Sequence, residues 1–134
     1  MAPVAVGRKA KVGEAVRAAE AATGIQFCVY LGPLRGDDAH AAAEAMFVER
    51  GLADRPGVLL LVAPKEHRVE IVTSPAAAER VPDEACRAAI DVMVEDFRRK
   101  RFDRGIVNGI EYLATVAGAG VAPEGAVDLP DVFE

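Results

Sequence analysis

The sequence contains no tryptophan, and its two tyrosines and five phenylalanines make up only 5% of 134 residues. Proteins that hold single-stranded nucleic acid commonly stack its bases on aromatic side chains, so this scarcity argues against such a function. The formal net charge of −5 argues in the same direction, because non-specific binding to nucleic acid or anionic lipid needs attraction to phosphate. We therefore expect no nucleic-acid partner.

Residues that form disulfides or bind transition metals are also scarce. The two cysteines, Cys28 and Cys86, belong to no C-x-x-C pair and no Cys/His cluster, so we expect both to be buried free thiols. The two histidines, His40 and His67, have no other histidine or cysteine at a spacing typical of metal ligands. We expect both histidines to be exposed to solvent.

Long apolar segments are missing as well. No run approaches the roughly 20 apolar residues that span a membrane. Residues 1–9 lack the basic-then-apolar order of a secretory signal. We therefore expect a soluble, cytoplasmic protein without a membrane span.

The most informative feature present is the apolar run Val-Leu-Leu-Leu-Val-Ala of residues 58–63, which follows a Pro-Gly pair and ends before the charged stretch 64–68. Apolar residues at consecutive positions are typical of a strand that helices cover on both faces. The run therefore predicts the central strand of a three-layer α/β/α sandwich.

The rest of the sequence predicts a short mixed sheet of three to four strands flanked by four helices. Helices are predicted over residues 8–23, 39–50, 83–101 and from Asp103 to about 116, and strands over residues 26–31, 57–63 and 68–73. The first two strands are joined through a helix, which predicts a parallel crossover. Partial alternation in the third strand indicates an antiparallel edge strand. We predict one domain over residues 1–120 and an irregular tail over residues 121–134.

Local signals predict where the helices begin and how they pack. Asp38 and Asp103 are predicted N-caps, and Pro82 suits the first position of the third helix. The basic residues 98–101 are predicted to form the last turn of that helix, where their positive charges interact favourably with the negative end of the helix dipole. Gly105 and Gly109 lie four residues apart and predict a close approach between the fourth helix and a neighbour.

Three motifs stand out within this order of elements: Ala-Thr-Gly-Ile-Gln at 22–26, Pro-Gly-Val-Leu-Leu-Leu-Val at 56–62, and Asp83 after the third strand. Together they resemble the TPM domain, a module of thylakoid acid-phosphatase and photosystem-repair proteins, in a form that looks actinobacterial and soluble. The likeness covers residues 8–117. It implies an α/β/α sandwich with a shallow acidic site at one end of the sheet, which holds a divalent cation in some members.

The resemblance implies a set of candidate ligands. Asp54 and Asp83 match the family's carboxylates by position, and Glu79 matches another if the register shifts by one residue. The family's Gly-x-Gly-x-Glu turn is replaced here by residues 73–79, which contain no glycine.

Two interpretations of these residues stay open. Carboxylates suit calcium or magnesium, and Asp54, Glu79 and Asp83 are all expected near strand ends, the region where open α/β sheets bind ligands. Alternatively, Asp54 is a solvated loop charge and Asp83 a partner of the helix dipole. Arg55 and Arg80 neighbour the acidic candidates and are candidate anion-binding residues, which would stabilise charge on a phosphoryl group.

The sequence shows no complete catalytic motif, because it has no P-loop, no Cys-x5-Arg and no Asp-x-Asp signature. The leading hypothesis is a protein-interaction module with an unidentified protein partner, for which a divalent cation, calcium or magnesium, is the candidate cofactor. The alternative is a metal-dependent acid phosphatase that acts on phosphate monoesters. A third hypothesis is self-association through the edge strand. Whether the protein is an enzyme stays open.

Overall fold

The computed structural model of the chain describes residues 6–34, 36–118 and 132–133. In chain order its elements are α1 (Val6–Thr23), β1 (Gln26–Leu31), α2 (Ala39–Glu49), β2 (Gly57–Ala63), β3 (Arg68–Thr73), α3 (Pro75–Ala78), α4 (Asp83–Phe97), α5 (Phe102–Ala117) and β4 (Val132–Phe133). The four-residue α3 adds one helix to the four that were predicted. It forms because Ser74 accepts a hydrogen bond from the Ala77 amide and Pro75 occupies the first turn.

The sheet is mixed, with the strand order β3-β2-β1-β4. β1 and β2 are parallel, as the crossover predicted, and β3 is antiparallel to β2. β4 pairs parallel with β1 at Val29 and Tyr30. The carboxyl ends of β1 and β2 therefore share one side of the sheet with the turn between β2 and β3, and we call this side the carboxyl edge. The opposite side, where β1 and β2 begin and β3 ends, is the amino edge.

Helices cover both faces of the sheet, so the predicted three-layer α/β/α sandwich is confirmed. Every residue of β2 is buried, and its side chains divide between two apolar cores. Leu60 belongs to the larger core, which also contains residues of α1, α4 and α5. Leu61 belongs to the smaller core, which is closed by α2 through Met46 and Phe47.

The starts of the helices agree with the prediction in one place and differ from it in two. Asp38 is confirmed as the N-cap of α2, because its Oδ1 accepts from the Ala41 amide at 3.1 Å. The prediction of Asp103 as an N-cap is wrong, since α5 begins at Phe102 and Asp103 lies in its first turn. Pro82 is the N-cap of α4 and does not occupy its first helical position.

The predicted end of α4 at residue 101 is also wrong, because α4 ends at Phe97. The chain leaves the helix through Lys100, whose φ of 58° is left-handed. The amide of Lys100 donates to the carbonyl of Phe97, and that of Arg101 to the carbonyl of Asp96. This is a Schellman ending with a lysine at the position that glycine usually occupies.

The close approach predicted for the fourth helix is confirmed where α4 packs on α5. A Cβ atom added at Gly105 would lie 2.6 Å from the Phe97 ring, and one added at Gly109 would lie 2.6 Å from Cγ of Met93. Only glycine lets the two helices come this close.

Part of the predicted domain boundary lies outside the described residues. Within the stretch 121–134, the structure describes Val132–Phe133, which form β4 beside β1. In the part of the chain that the structure describes, no helix is both long enough and apolar enough to cross a membrane.

Candidate functional site

The three carboxylates expected to bind a cation all lie on the amino edge. Asp54 is in the turn before β2, Glu79 follows α3 and Asp83 opens α4, and all three are exposed. Among the described residues, no three histidine, cysteine or carboxylate side chains are grouped closely enough to hold a metal ion. The edge where open α/β sheets bind ligands is the opposite one. Cation binding at these residues stays a prediction.

The two arginines expected to bind anions have different surroundings. The guanidinium of Arg80 donates to the carbonyl of Thr23 at 2.6 Å, to that of Ala117 at 3.2 and 3.3 Å, and to that of Gly118 at 2.8 Å. Arg80 therefore caps the carboxyl ends of both α1 and α5. In Arg55, Nε and Nη1 are buried and meet no acceptor in the described structure.

A cleft of about 930 Å³ opens at the carboxyl edge. Its apolar lining comes from the ends of the three long strands and from α4 and α5. The apolar residues along it include Leu31 and Val62, which are themselves buried, and the partly exposed Val69, Phe97 and Phe102. The rings of Phe97 and Phe102 pack together, with centroids 5.3 Å apart. A mostly apolar concave surface at this edge is the usual form of a ligand site.

Basic side chains surround this apolar lining. They are Lys65, His67, Arg68, Arg98 and Lys100, whereas Glu66 is the one carboxylate among the described residues of the lining. All five basic residues are exposed. Within the described residues Lys65, Arg68 and Lys100 form no ion pair, and Arg98 meets only the exposed Glu95, at 3.6 Å. The positive charges of the lysines and arginines around a low-dielectric cleft concentrate positive potential there, although the net charge of the whole chain is −5.

The backbone on two sides of the cleft is in an unusual conformation. His67 has a φ of 54° and Lys100 a φ of 58°, and they are the two residues other than glycine with positive φ in the described chain. Glycine takes this conformation without cost, whereas a longer residue loses about 1 kcal/mol or more. Such conformations cluster at functional sites, and here both side chains line the cleft.

Replacing Lys100 with glycine is therefore expected to raise the free energy of unfolding by about 1 kcal/mol. Urea unfolding followed by circular dichroism measures the change. The matched control is Arg99→Gly, one residue earlier at a negative φ, which is expected to lower that free energy by about 0.5–1 kcal/mol. If Lys100→Gly instead lowers the free energy of unfolding, then contacts of the Lys100 side chain stabilise the protein by more than its backbone conformation costs.

Glu66 lies in the turn between β2 and β3, and hydrogen bonds hold both the turn and one of its carboxylate oxygens. His67 donates through its amide to the carbonyl of Pro64 at 3.2 Å, which closes the turn. One carboxylate oxygen of Glu66, Oε1, accepts from the amide of Leu34 at 3.3 Å. The other oxygen, Oε2, is buried and has no hydrogen-bond partner in the described structure.

A second groove lies between α1 and α5 and has a volume of about 690 Å³. Its charged side chains are of both signs: Lys11, Glu14, Asp103, Arg104 and Glu111. Mixed charges produce no concentrated field of one sign, so this groove lacks the electrostatic character of the cleft.

Both cysteines are buried thiols outside any disulfide, as predicted. Burial raises the pKa of Cys86, and the negative charge of Asp83 adds to this increase. A raised thiol pKa keeps the sulfur protonated and unreactive at neutral pH. Neither cysteine lines the cleft.

Comparison with known proteins gives the chain its family. The sequence model of the TPM domain matches residues 6–116. The chain belongs to the TPM domain family. The resemblance predicted from the motifs is therefore confirmed, whereas the actinobacterial character stays a prediction. None of the curated proteins compared with the chain matches it.

Solved structures share the fold of this TPM domain. The BA42 protein of Bizionia argentinensis is 20% identical, with a TM-score of 0.79 over 93% of this chain and 89% of that one. The N-terminal domain of a P. gingivalis protein is 20% identical, with a TM-score of 0.74 over 84% and 75%. The N-terminal domain of the cg2496 protein of Corynebacterium glutamicum is 12% identical, with a TM-score of 0.69 over 98% and 80%. At these identities the likeness shows the fold alone.

The sequence pattern alone does not reveal the cleft of this TPM domain. Residues 64–68 are sufficiently explained as a turn and residues 98–101 as cations at a helix end, so neither segment points to the other. The order of elements contains the missing signal. The turn after β2 must lie at the carboxyl edge, and α4 starts at the amino edge and therefore ends beside that turn.

Proposed function

We propose that this TPM domain is a protein-interaction module that binds an acidic, extended peptide segment in the carboxyl-edge cleft. The observation that carries the proposal is the combination of an apolar lining with exposed lysine and arginine side chains, three of which have no ion-pair partner among the described residues. Apolar side chains of the segment would fill the lining, and its carboxylates would meet Lys65, Arg68 and Lys100. Complementary charge of this kind selects partners and speeds their encounter.

The composition of the cleft favours binding over covalent catalysis. The lining residues that the structure describes include no serine, threonine or cysteine that could attack a substrate. His67, the one histidine in this described part of the lining, is exposed. The cleft thus holds groups that attract and position a ligand, which is what a binding module needs.

Charge reversal in the cleft provides the test. The probe is a fluorescein-labelled peptide of alternating glutamate and leucine, and binding is followed by fluorescence anisotropy. In Lys65→Glu/Arg68→Glu the dissociation constant should rise at least about tenfold, because 1.4 kcal/mol of lost attraction corresponds to that factor. Binding to the unaltered domain should also weaken as salt is added.

The matched control carries the same change of charge elsewhere. Lys11 and Arg87 are exposed, and neither lines the cleft. Lys11→Glu/Arg87→Glu should alter the dissociation constant by less than about threefold, since these charges lie outside the site and are screened. An equal loss in both double variants would mean that only net charge matters and would reject the cleft as the site.

The phosphatase hypothesis predicts a different result. Hydrolysis of a phosphate monoester that needs calcium or magnesium, and that disappears in Asp54→Ala or Asp83→Ala, would place the activity at the amino edge. Such a result, with no binding of the peptide, would favour the enzyme over the interaction module.

A further inference from the structure

We infer that two copies of this chain associate through the outer edge of β3, in an antiparallel arrangement with a two-fold axis at Ile71. β3 is the last strand on its side of the sheet, and its one pairing among the described residues is with β2. The inference goes beyond the proposed peptide site, because it concerns how the domain assembles and does not depend on what the cleft binds.

Half of the main-chain hydrogen-bonding groups of β3 point to this outer side. In an antiparallel pair, opposite residues alternate between pairs that exchange hydrogen bonds and pairs that do not. The amide of Ser74 donates to the carbonyl of Gly57 beside β2, so the even-numbered residues of β3 bond to β2. The odd-numbered residues point away from β2, where no described strand pairs with them. They are Val69, Ile71 and Thr73.

The two edges of the sheet differ in their protection. On the β1 side, every residue of β1 is buried, β4 pairs with its middle, and the carboxylate of Glu20 accepts from the Phe27 amide at 3.0 Å. On the other side, every residue of β3 is exposed or half-buried. β3 contains no proline and no lysine, and its register with β2 runs without a bulge. These devices usually prevent edge strands from pairing, so β3 is open to another strand.

The sequence of β3 is complementary to a second copy of itself. A two-fold axis at Ile71 places this residue opposite the same residue of the second copy, and Val69 opposite Thr73 of the second copy. All three outward-pointing residues then form hydrogen-bonded pairs. Val69 and Ile71 are half-buried against the larger core, and pairing would cover apolar surface that they still expose.

Charge and backbone conformation select this register over its neighbours. An axis at Glu70 would place two Glu70 carboxylates directly opposite each other, and like charges there are destabilising. It would also leave Thr73 unpaired. An axis at Val69 would bring His67 into the ladder, although its φ of 54° is left-handed and not extended. With the axis at Ile71, Glu70 instead lies opposite Val72 of the second copy.

A two-fold contact of this kind closes on itself, because both copies use the same surface and no open edge of β3 remains. The sheets of the two copies become one continuous sheet. Since the two β3 strands run antiparallel, the carboxyl-edge clefts lie at opposite edges of the joined sheet. The dimer therefore presents two clefts that face opposite ways.

The first test is the mass of the protein in solution as a function of its concentration. In sedimentation equilibrium from about 20 μM to about 1 mM, the average mass should rise from 14.1 kDa toward twice that value. Thr73→Pro removes an amide that points away from β2, so the sheet tolerates it, but the dimer loses a hydrogen bond on each side of the axis. Its association constant should fall at least about tenfold. Thr73→Ala keeps the amide and should change that constant by less than about threefold.

Disulfide trapping tests the register. Ile71→Cys places two thiols across the axis, where the Cα atoms of a hydrogen-bonded pair are about 5.5 Å apart and a disulfide can form. Val69→Cys is the matched control on the same face, because the two Cα atoms at position 69 would be about 14 Å apart. With oxidised glutathione as the oxidant, Ile71→Cys should form the covalent dimer at least about tenfold faster. The native Cys28 and Cys86 are buried.

Three results would overturn the inference. A mass that stays at 14.1 kDa over the whole range would leave the edge to a strand of a different protein. A dimer that Thr73→Pro does not weaken would use another surface, and equal trapping of the two cysteine variants would reject the register. Circular dichroism checks the folding of each variant, and if Thr73→Pro does not fold, the cysteine variants decide. The peptide is absent from these experiments, so the proposed function stands or fails separately.

Discussion

Truncation of Leu60 to alanine should lower the free energy of unfolding by about 3–4 kcal/mol, which is a large part of the 5–15 kcal/mol typical of a domain. Leu60 lies at the middle of the central strand and is 0% exposed. Its side chain faces the core that α1, α4 and α5 share. The loss combines the transfer of the removed atoms to water with the cavity that tightly packed neighbours cannot fill.

Urea unfolding with a two-state fit measures this change. Val48→Ala is the control, because Val48 is on the outer surface of α2 and is 67% exposed, so its replacement should change the free energy of unfolding by less than about 0.5 kcal/mol. A cost below about 1 kcal/mol for Leu60→Ala would contradict the close packing of helices on that face of the sheet.

Replacement of Arg80 by alanine should have the next largest effect, a loss of about 2–3 kcal/mol. The guanidinium group donates to the carbonyls of Thr23, Ala117 and Gly118. These carbonyls end α1 and α5, where the helix dipole concentrates negative charge. Hydrogen bonds from a charged donor are stronger than neutral ones, and Arg80 connects two helices at once.

Thermal and urea unfolding of Arg80→Ala, Arg80→Lys and Arg87→Ala separate charge from geometry. Lysine keeps the positive charge but cannot span three carbonyls as the planar guanidinium does, so about half of the loss should remain. Arg87 is exposed on α4, and its removal should cost less than about 0.5 kcal/mol. If Arg80→Ala is as stable as Arg87→Ala, the contacts of Arg80 are incidental to the fold.

The sheet and its layers could be predicted because short segments of the sequence carry the signals for them. The unbroken apolar run of β2 requires cover on both faces, and Gly24 and Gly51, both at positive φ, follow α1 and α2 as helix endings usually do. Lys100 performs the same task at the end of α4 without a glycine. No local signal marks it, which is why the predicted helix extended too far.

The candidate site was harder to predict because its parts come from distant segments. Lys65 and Lys100 are 35 positions apart in the sequence, and each has a sufficient local explanation as a turn or helix-end residue. Their proximity depends on the direction of α4 relative to the sheet, which is a tertiary property. The acidic residues Asp54, Glu79 and Asp83 are the predicted site, but the fold exposes them on the opposite edge.

The same difficulty applies to Arg80 and Glu66. In the sequence, Arg80 is a basic residue beside an acidic one, whereas in the fold it caps the carboxyl ends of two helices. Glu66 is a polar residue in a predicted turn, where exposure is the ordinary expectation. Its buried, unpartnered oxygen can be found only when the loop after β1 is placed against that turn.

Amide chemical shifts test most directly whether the carboxyl-edge cleft is the binding site. The glutamate–leucine peptide is titrated into ¹⁵N-labelled protein, and shift changes are mapped onto the fold. If the peptide binds in the cleft, the shift changes concentrate at Leu34, Glu66, Val69 and Lys100. The amides of Asp54, Glu79 and Asp83 then stay unchanged. Changes that concentrate at those three amino-edge residues, with none around the cleft, would contradict it.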